Sequence, residues 1–379
     1  MSEYAKAGVN YSILEPFKRA MIAAGRETLA FPNKRGVYVR EDMTHSHGAV
    51  YEYRGAEPHL WVKTQEGLGN KNWIAEWMYE RSGTGKTYYE GIAKDTALMA
   101  ANDVIAQGAL PVVFTDHVEA SDSEWFGDEK RVDDLARGFV EICKETGMAL
   151  PAGESAPLKY LVHPMAPVKS APSLSGSVTG IIAPALRVIT GEKLAAGDRI
   201  IGATSSGIHA NGISLVIKKA LELPDQFLTK IPNGSTGSLQ AGALLGEEAL
   251  IPTRSYVGLI EALLEGGAEI HALLPGTGDG VGKIAFDHRP FTYRISQWVQ
   301  VPPLFRFFRE QLALPLEDCL KTFNWGVGYY IFAPKNEVKK ILDIGGKIGY
   351  DLKTIGIVES GKRQTVFLDS VTLPPPGEY

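Results

Sequence analysis

The amino-acid sequence predicts an α/β protein with two domains. Segments typical of strands and segments typical of helices alternate along the whole chain, which indicates strands that pack against helices. The chain has 379 residues, more than one ordinary core accommodates, and its 44% hydrophobic and 22% charged residues are typical of a globular protein. The connection PALRVITGEKLAAGD leads into a new strand, so we expect domains at 1–183 and 184–379.

The spacing of apolar residues predicts the individual elements. Helices are expected at 12–24, 88–107, 131–146, 212–222, 254–265, 303–313 and 336–344. Strands are expected at 60–64, 110–116, 174–182, 198–204, 268–274, 326–333 and 352–358. The loop 155–173 contains four prolines and no clear period, and it is interpreted either as a lid or binding loop or as a surface excursion.

Composition and charge argue against several classes of protein. No apolar run approaches the roughly 20 residues that span a bilayer, and the start MSEYAKAGVN lacks a signal-peptide core, so a soluble cytoplasmic protein is expected. A net charge of −5 without a Lys/Arg cluster argues against a nucleic-acid partner. Cys143 and Cys319 are expected to be buried, reduced thiols. His45 and His47 have no third metal ligand nearby and are expected in an exposed loop.

The segment SSGIHANGISL at 205–215 has the composition of an anion-binding turn. Gly207 and Gly212 permit tight turns, and the helix expected from residue 212 opens with amides that lack partners inside the helix. Such amides attract phosphate or carboxylate groups. A polar turn in which Asn211 caps the helix is the alternative and stays open. His209, between the two glycines, is harder to explain as part of a simple turn.

A second glycine-rich segment imitates the nucleotide-binding P-loop. It reads Ser82-Gly83-Thr84-Gly85-Lys86-Thr87, but Glu80 stands where the full pattern needs a glycine. The preceding NWIAEWMYER is an aromatic-rich helical pattern rather than a buried strand. We therefore expect a helix that ends at glycine.

The segment TQEGLGNK is a better phosphate candidate, because LWVKT before it is typical of a strand. Gly67 and Gly69 expose backbone amides, and Lys71 supplies a positive charge. Glu66 offers a carboxylate that could hold a divalent metal beside the phosphates.

Further carboxylates in the first half are candidates for the same site. Asp95 precedes Asn102 and Asp103 by seven and eight residues, which places all three near one side of a helix where acidic oxygens could share a magnesium ion. Solvated surface carboxylates are the alternative, but the apolar ALMAA between them implies burial. Asp116 and Glu154 are expected at strand ends, where α/β proteins place ligands.

Together these motifs resemble the aminoimidazole ribonucleotide synthetase family, also called phosphoribosylformylglycinamidine cyclo-ligases. The resemblance covers nearly the whole chain and rests on the order and spacing of EGLGNK, Asp95, ND at 102–103, QGA at 107–109, Asp116, GES at 153–155, SSG with His209, PTR at 252–254 and TFNWGVG at 322–328. It implies the family's two-domain α/β (α+β) fold, with mixed sheets and helices packed on one face. The amino-terminal domain would bind ATP and metal and form a homodimer, and the carboxy-terminal domain would bind substrate.

The resemblance also implies an activity, with ATP and Mg²⁺ as cofactors. Formylglycinamidine ribonucleotide would be cyclised to aminoimidazole ribonucleotide with release of ADP and phosphate. The implied catalytic residues are His209, Glu154 and Asn211. Nucleotide contacts are implied for Gly67, Gly69, Lys71, Asn102 and Asp116, substrate contacts for Ser205, Ser206, Gly207, Gly212 and Asn324, and metal ligation for Glu66, Asp95 and Asp103.

The chain departs from the family pattern at several positions. Glu66 and Ser173 stand where the family has aspartate, and the stretch after Glu154 is rewritten. The family's His-Leu-Thr-Gly-Gly-Gly run is Pro275-Gly276-Thr277-Gly278-Asp279-Gly280 here. Two alternatives therefore stay open: an ATP-dependent kinase or phosphotransferase of the same superfamily, which includes thiamine monophosphate kinase, and a nucleotide-binding relative without activity.

Overall fold

The computed structural model describes residues 9–40, 49–232 and 243–376. Within them the chain divides between Leu186 and Arg187 into two compact units, and Ile105–Gly108 belongs with the second unit. His45 and His47 lie outside the described residues. No helix of the described part is both long enough and apolar enough to cross a bilayer.

The first unit combines helices with a four-stranded sheet and a short hairpin. Its helices are α1 (Tyr11–Thr28), α2 (Lys71–Arg81), α3 (Tyr89–Val104) and α4 (Glu129–Thr146). Its strands are β1 (Val37–Val39), β2 (Tyr51–Tyr53), β3 (Leu60–Gly67), β4 (Leu110–Ala120), β5 (Ala149–Pro157) and β6 (Ser173–Ile182). The sheet order is β3-β6-β4-β5, in which β4 and β5 are parallel and the other neighbours are antiparallel.

Helices cover one face of this sheet. Phe114 of β4 is fully buried against Phe139 of α4, with ring centroids 5.5 Å apart. Along β3 the residues Val62, Thr64 and Glu66 are half-buried, whereas the alternating Trp61, Lys63 and Gln65 are exposed. Because successive side chains of a strand point to opposite faces, the second face is exposed along β3. Further across the sheet, Val113 and Ile181 of this face are buried together with Val37 of the hairpin.

The second unit is built on a seven-stranded mixed sheet of order β10-β12-β7-β13-β11-β14-β15. Its strands are β7 (Arg199–Thr204), β10 (Ala272–Pro275), β11 (Phe291–Ile295), β12 (Val327–Ala333), β13 (Leu352–Ser360), β14 (Gln364–Phe367) and β15 (Val371–Leu373), with β8 (Lys230–Ile231) and β9 (Ala243–Leu244) as a separate pair. Its helices are α5 (Ile213–Leu221), α6 (Leu245–Ala249), α7 (Val257–Glu265), α8 (Pro303–Glu310), α9 (Leu316–Thr322) and α10 (Val338–Lys347).

The structure confirms the predicted fold class and most predicted elements. The segment 82–87 is confirmed as a helix end: Ser82 follows α2, its N–H donates to the carbonyl of Met78, and Gly83 has φ 69°. The expected burial of Cys143 and Cys319 is also confirmed. Helix α3 ends at Val104, before the predicted residue 107, because Ile105–Gln107 forms a short 3₁₀ turn.

The expected strand-end positions of Asp116 and Glu154 are wrong. Strand β4 continues to Ala120 and β5 continues to Pro157, so both carboxylates lie inside strands. The sequence HVEA after Asp116 alternates half-buried and buried residues. This alternation has the period of a strand. Because two of the four residues, His117 and Glu119, are polar, the sequence alone did not predict that the strand continues.

Candidate functional site

One row across the sheet of the first unit carries two of the predicted carboxylates. Glu66 pairs with Gly176, which pairs in turn with Asp116. On its other side Asp116 pairs with Gly153. Directly paired residues share a face of the sheet, so Glu66 and Asp116 lie on the same face with a glycine between them. Neighbouring strands are about 4.8 Å apart, which separates these two backbones by roughly 10 Å.

Asp116 lies at the base of a cleft between α1 and β5. The cleft has a volume of about 450 Å³, and its lining includes Phe17, Arg26, Gly153 and Glu154. A Cβ atom on Gly153 would collide with the Asp116 carboxylate, so this position of β5 needs glycine. Asp116 and Glu154 are both site residues predicted from the sequence, and both line this cleft.

The Asp116 carboxyl is unusually hard to ionise. Its side chain is 8% exposed, and burial raises its pKa from 3.8 to about 7, with a further contribution from the negative charge of Glu154. A backbone hydrogen bond opposes this increase in pKa. Burial and the charge of Asp116 also raise the pKa of the neighbouring Cys143 thiol. A carboxyl that titrates near neutral pH in a cleft is suited to proton transfer.

The turn between β3 and α2 is open to a ligand. Gly69 has φ 73°, and a Cβ atom at Gly67 or Gly69 would meet no atom within 4 Å. The turn is anchored because Leu68 donates its N–H to the carbonyl of Leu174 at 2.8 Å. It leads into α2, whose first amides lack partners inside the helix. Space beside glycines at a helix start is what a phosphate group needs.

Lys71 lies beneath this turn and forms an ion pair. Its Nζ is 2.7 Å from Oδ2 of Asp95, and both side chains have 0% exposure. Burial lowers the pKa of Lys71, whereas the charge of Asp95 and its hydrogen bond raise it. In this structure Lys71, which was predicted to contact the phosphates, neutralises the carboxylate of Asp95, which was predicted to bind metal.

The three predicted metal ligands do not converge. Among the described residues, no three acidic, histidine or cysteine side chains are placed to hold one metal ion, so Glu66, Asp95 and Asp103 do not form such a group. Asn102 is buried and Asp103 is half-buried on α3. As placed in the described part of the chain, these residues do not fit a three-carboxylate Mg²⁺ site.

The predicted anion loop of the second unit connects β7 to α5. His209 has φ 61° and Gly212 has φ 77°, so the backbone turns through the left-handed region twice. Gly212, not Asn211, is the N-cap of α5. A Cβ atom at Gly212 would lie 2.6 Å from Cε1 of Phe323. This collision and the positive φ angle both require glycine at this position. The simple turn with Asn211 as the cap is therefore wrong.

Hydrogen bonds tie this loop to two neighbouring segments. Ser206 Oγ donates to the carbonyl of Pro252 at 2.6 Å. The Ser205 N–H donates to the carbonyl of Gly326 at 2.9 Å, and Ser205 Oγ donates to Oδ1 of Asn324 at 3.1 Å. Of the predicted substrate contacts, Ser205 and Gly207 are thus hydrogen-bonded to Asn324, whereas Ser206 is bonded to the segment at Pro252.

His209 lies in a confined environment beside β12. Its side chain is 5% exposed, and its ring centroid is 6.1 Å from that of Tyr256. A Cβ atom on Gly328 would collide with the His209 ring and with the Tyr256 hydroxyl. Tyr256 donates to the carbonyl of Thr204 at 2.9 Å, which fixes its hydroxyl at the root of the loop. Tyr256 and Gly328 were not among the site residues predicted from the sequence.

The segment 275–280 leaves its carboxylate exposed. Asp279 is exposed and has φ 65°. Gly276 donates its N–H to the carbonyl of Gly328 at 2.9 Å, so the segment is anchored to β12. The chain thus places an exposed carboxylate where the family pattern has a glycine.

The loop 155–173 is hydrogen-bonded to α2 and exposes large apolar side chains. Trp73 Nε1 donates to the carbonyl of Met165 at 2.8 Å, and Arg81 donates to the carbonyl of Pro167 at 2.9 Å. Tyr160 and Leu161 are at least 80% exposed. These contacts with α2 argue against an untethered excursion and leave the lid or binding-loop interpretation as a prediction.

Two family models together match most of the chain. Residues 53–182 match the model of the AIR synthase related protein, N-terminal domain, and residues 195–369 match that of the C-terminal domain. The phosphoribosylformylglycinamidine cyclo-ligase of Alkaliphilus oremlandii is 31% identical over 314 residues, 82% of this chain and 84% of that protein. That of Pyrococcus horikoshii is 31% identical over 353 residues, 92% of both chains.

Solved structures of lower identity share the fold. Thiamine-monophosphate kinase from Stenotrophomonas maltophilia has a TM-score of 0.58 and 17% identity, covering 91% of this chain and 94% of its own. E. coli HypE, a hydrogenase maturation protein, has a TM-score of 0.56 and 18% identity, covering 96% of this chain and 98% of its own. A HypE structure in complex with ATP has a TM-score of 0.56 and 16% identity, covering 86% of this chain and 85% of its own.

Proposed function

The chain belongs to the AIR synthase related protein family, and from this premise we propose that it is an ATP-dependent cyclo-ligase. Its substrate would be formylglycinamidine ribonucleotide, and its products would be aminoimidazole ribonucleotide, ADP and phosphate. The observation that carries the proposal is the alignment with cyclo-ligases that spans 92% of both chains.

The proposed chemistry has two steps. The formamide oxygen of the substrate attacks the γ-phosphorus of ATP, the bond to the bridging oxygen breaks, and ADP leaves. An amidine nitrogen then attacks the activated carbon, the C–O bond breaks, inorganic phosphate leaves and a proton is lost. Phosphoryl transfer of this kind depends mainly on alignment of the reactants and on fixed donors.

The first unit is proposed to bind the nucleotide. The open turn at Gly67 and Gly69 supplies backbone amides and room for phosphates. The buried Lys71–Asp95 pair holds the base of α2 against α3 and thereby supports the turn. Asp116, with a pKa of about 7, is suited to accept or donate a proton in the cleft that it shares with Glu154.

The second unit is proposed to bind the substrate phosphate. The loop 205–212 precedes α5, and its backbone turns at His209 and Gly212 before the first helical amides. His209 and Asn211 are proposed to contact the reacting part of the substrate. The support for this proposal is the loop geometry together with the SSG motif and His209, on which the resemblance to the family rests in this segment.

A phosphotransferase of the same superfamily is the second candidate. The exposed Asp279 and the absence of an imidazole from 275–280 favour a different acceptor. The two candidates differ in their products, because a kinase leaves the phosphoryl group on its acceptor whereas a cyclo-ligase releases inorganic phosphate.

Purified protein with ATP, Mg²⁺ and formylglycinamidine ribonucleotide tests the proposal. We expect ADP, inorganic phosphate and the imidazole product in equal amounts. Turnover only with other acceptors, without release of phosphate, would reject the cyclo-ligase in favour of the kinase. Rescue of a purine-requiring strain that lacks the cyclo-ligase is the corresponding genetic test.

We also propose a homodimer that forms through the face of the first unit's sheet that carries Trp61. Trp61 is 42% exposed on that face, and its ring is within 6.1 Å of the rings of Tyr51 and Tyr53. An exposed aromatic cluster of this kind is typical of an interaction surface.

A further inference from the structure

The side-chain amide of Asn324 is fully used by the protein. Its Nδ2 donates to the carbonyl of Gly207 at 2.9 Å and to that of Ile208 at 3.3 Å. Its Oδ1 accepts from Ser205 Oγ at 3.1 Å and from the Gly326 N–H at 2.9 Å. An asparagine amide has two N–H donors and two acceptor lone pairs, so each has a partner. The side chain is also 3% exposed, which leaves no surface for a ligand.

These hydrogen bonds fix the backbone at its most strained point. Gly207 and Ile208 immediately precede His209, whose φ of 61° is unfavourable for a residue with a Cβ atom. By donating to the carbonyls of Gly207 and Ile208, Asn324 restrains the backbone immediately before His209. The amides from Gly207 to Gly212 then keep one orientation.

We propose that Asn324 is a positioning residue for a phosphate group bound by the loop 205–212. It touches no ligand and acts by fixing the loop backbone, so that the amides are preorganised for the anion. This assignment differs from the direct substrate contact that the family resemblance implies for Asn324. The inference rests on the proposed function, which makes this loop the phosphate site.

The test compares Asn324→Asp with wild type, using inorganic phosphate as the probe. The aspartate keeps the shape and the acceptors but places a carboxylate against two carbonyls. Hydrogen exchange of the 207–212 amides is measured with and without phosphate. We expect phosphate to protect these amides in wild type. Asn324→Asp should weaken phosphate binding about 10- to 100-fold, because loop amides that are no longer oriented lose hydrogen bonds to the charged phosphate. Asn336→Asp, an exposed change in the 3₁₀ turn Lys335–Glu337, is the matched control.

Kinetics separates positioning from a general loss of structure. Asn324→Asp should raise KM for the phosphorylated substrate more than it lowers kcat, and it should change kcat/KM little for an analogue without the phosphate. Equal losses for both substrates, or unchanged phosphate affinity in folded Asn324→Asp, would overturn the inference. Absence of phosphate protection in wild type would overturn it as well.

The role of Asn324 and the proposed function can fail separately. Phosphate protection without cyclo-ligase turnover would reject the proposed function and leave the role of Asn324 intact.

If Asn324→Asp does not fold, NMR of the wild type decides: phosphate should shift the 207–212 backbone amides and leave the Asn324 side-chain amide slowly exchanging and nearly unshifted. A side-chain shift as large as the backbone shifts would indicate direct contact and contradict the proposal.

Discussion

Individual side chains of the candidate site have environments that the sequence predicts only in part. The apolar residues around Asp95 correctly indicated burial, since its side chain has 0% exposure. Its neutralisation by Lys71 was not visible, because the two residues are 24 positions apart and lie on different helices. Likewise, nothing in the sequence shows that the loop at 205–208 and the Gly326 N–H together saturate the Asn324 amide.

The raised pKa of Asp116 predicts a pH-dependent stability. The unfolded chain releases this proton near its ordinary pKa of 3.8, whereas the folded protein keeps it to about 7. The free energy of unfolding should therefore fall as pH rises between these two values. The contribution of Asp116 to stability is lowest above its pKa in the folded protein. Asp116→Asn should remove this dependence and stabilise the protein at alkaline pH by up to about 4 kcal/mol.

Urea unfolding at about pH 5 and about pH 8 measures this difference. Asp133→Asn, an exposed change on α4, is the control and should leave the pH profile unchanged. Turnover of Asp116→Asn should fall although its stability rises, as expected of a functional carboxyl. Identical pH profiles for Asp116→Asn and wild type would contradict the assigned pKa.

The buried Lys71–Asp95 pair gives a second prediction at this scale. Lys71→Met leaves an unpaired buried carboxylate and should lower the free energy of unfolding by about 3–5 kcal/mol. Lys71→Met combined with Asp95→Leu should recover most of that loss, because the charge is removed as well. Denaturant unfolding of both variants is the measurement. If Lys71→Met abolishes ATP binding without loss of stability, the lysine serves the nucleotide and the structural role fails.

At the scale of elements, helices and long strands follow from apolar spacing, but strand register does not. The row that joins Glu66, Gly176 and Asp116 depends on how β3, β6 and β4 pair. Pairing is decided by long-range packing, which a single sequence does not display. For the same reason the sequence did not indicate that β12 supplies Gly328 to the surroundings of His209.

Gly328 tests this arrangement of β12 and the loop. Gly328→Ala introduces a Cβ atom where His209 and Tyr256 already lie, so we expect His209 to be displaced. Displacement of a reacting group by about 1 Å can lower turnover about a hundredfold. Steady-state kinetics and unfolding are measured together. Gly346→Ala on α10, where a Cβ atom would meet nothing within 4 Å, is the control and should keep full activity.

At the scale of the molecule, the sequence predicted the α/β class and the family correctly, since family-wide motifs lie along the whole chain. The exposure of the sheet face that carries Trp61 could not be predicted, because half-exposed strands such as β3 contain both polar and aromatic residues. The face follows only from the observation that the helices pack on the other side.

Light scattering of Trp61→Lys tests the proposed homodimer. We expect wild type to have twice the mass of the chain and Trp61→Lys to dissociate, because a charge would be buried in the interface. Leu186→Lys, at a residue that is 84% exposed, is the control. A monomeric wild type, or an unchanged mass for Trp61→Lys, would contradict the assigned interface.

The fate of one oxygen atom tests the proposed reaction most directly. Substrate that carries ¹⁸O in its formamide group is converted with unlabelled ATP, and the released phosphate is analysed by mass spectrometry. Because the formamide oxygen accepts the γ-phosphoryl group and leaves with it, we expect one ¹⁸O atom in each phosphate. Unlabelled phosphate would mean that ATP is hydrolysed by water, and it would contradict the cyclo-ligase mechanism.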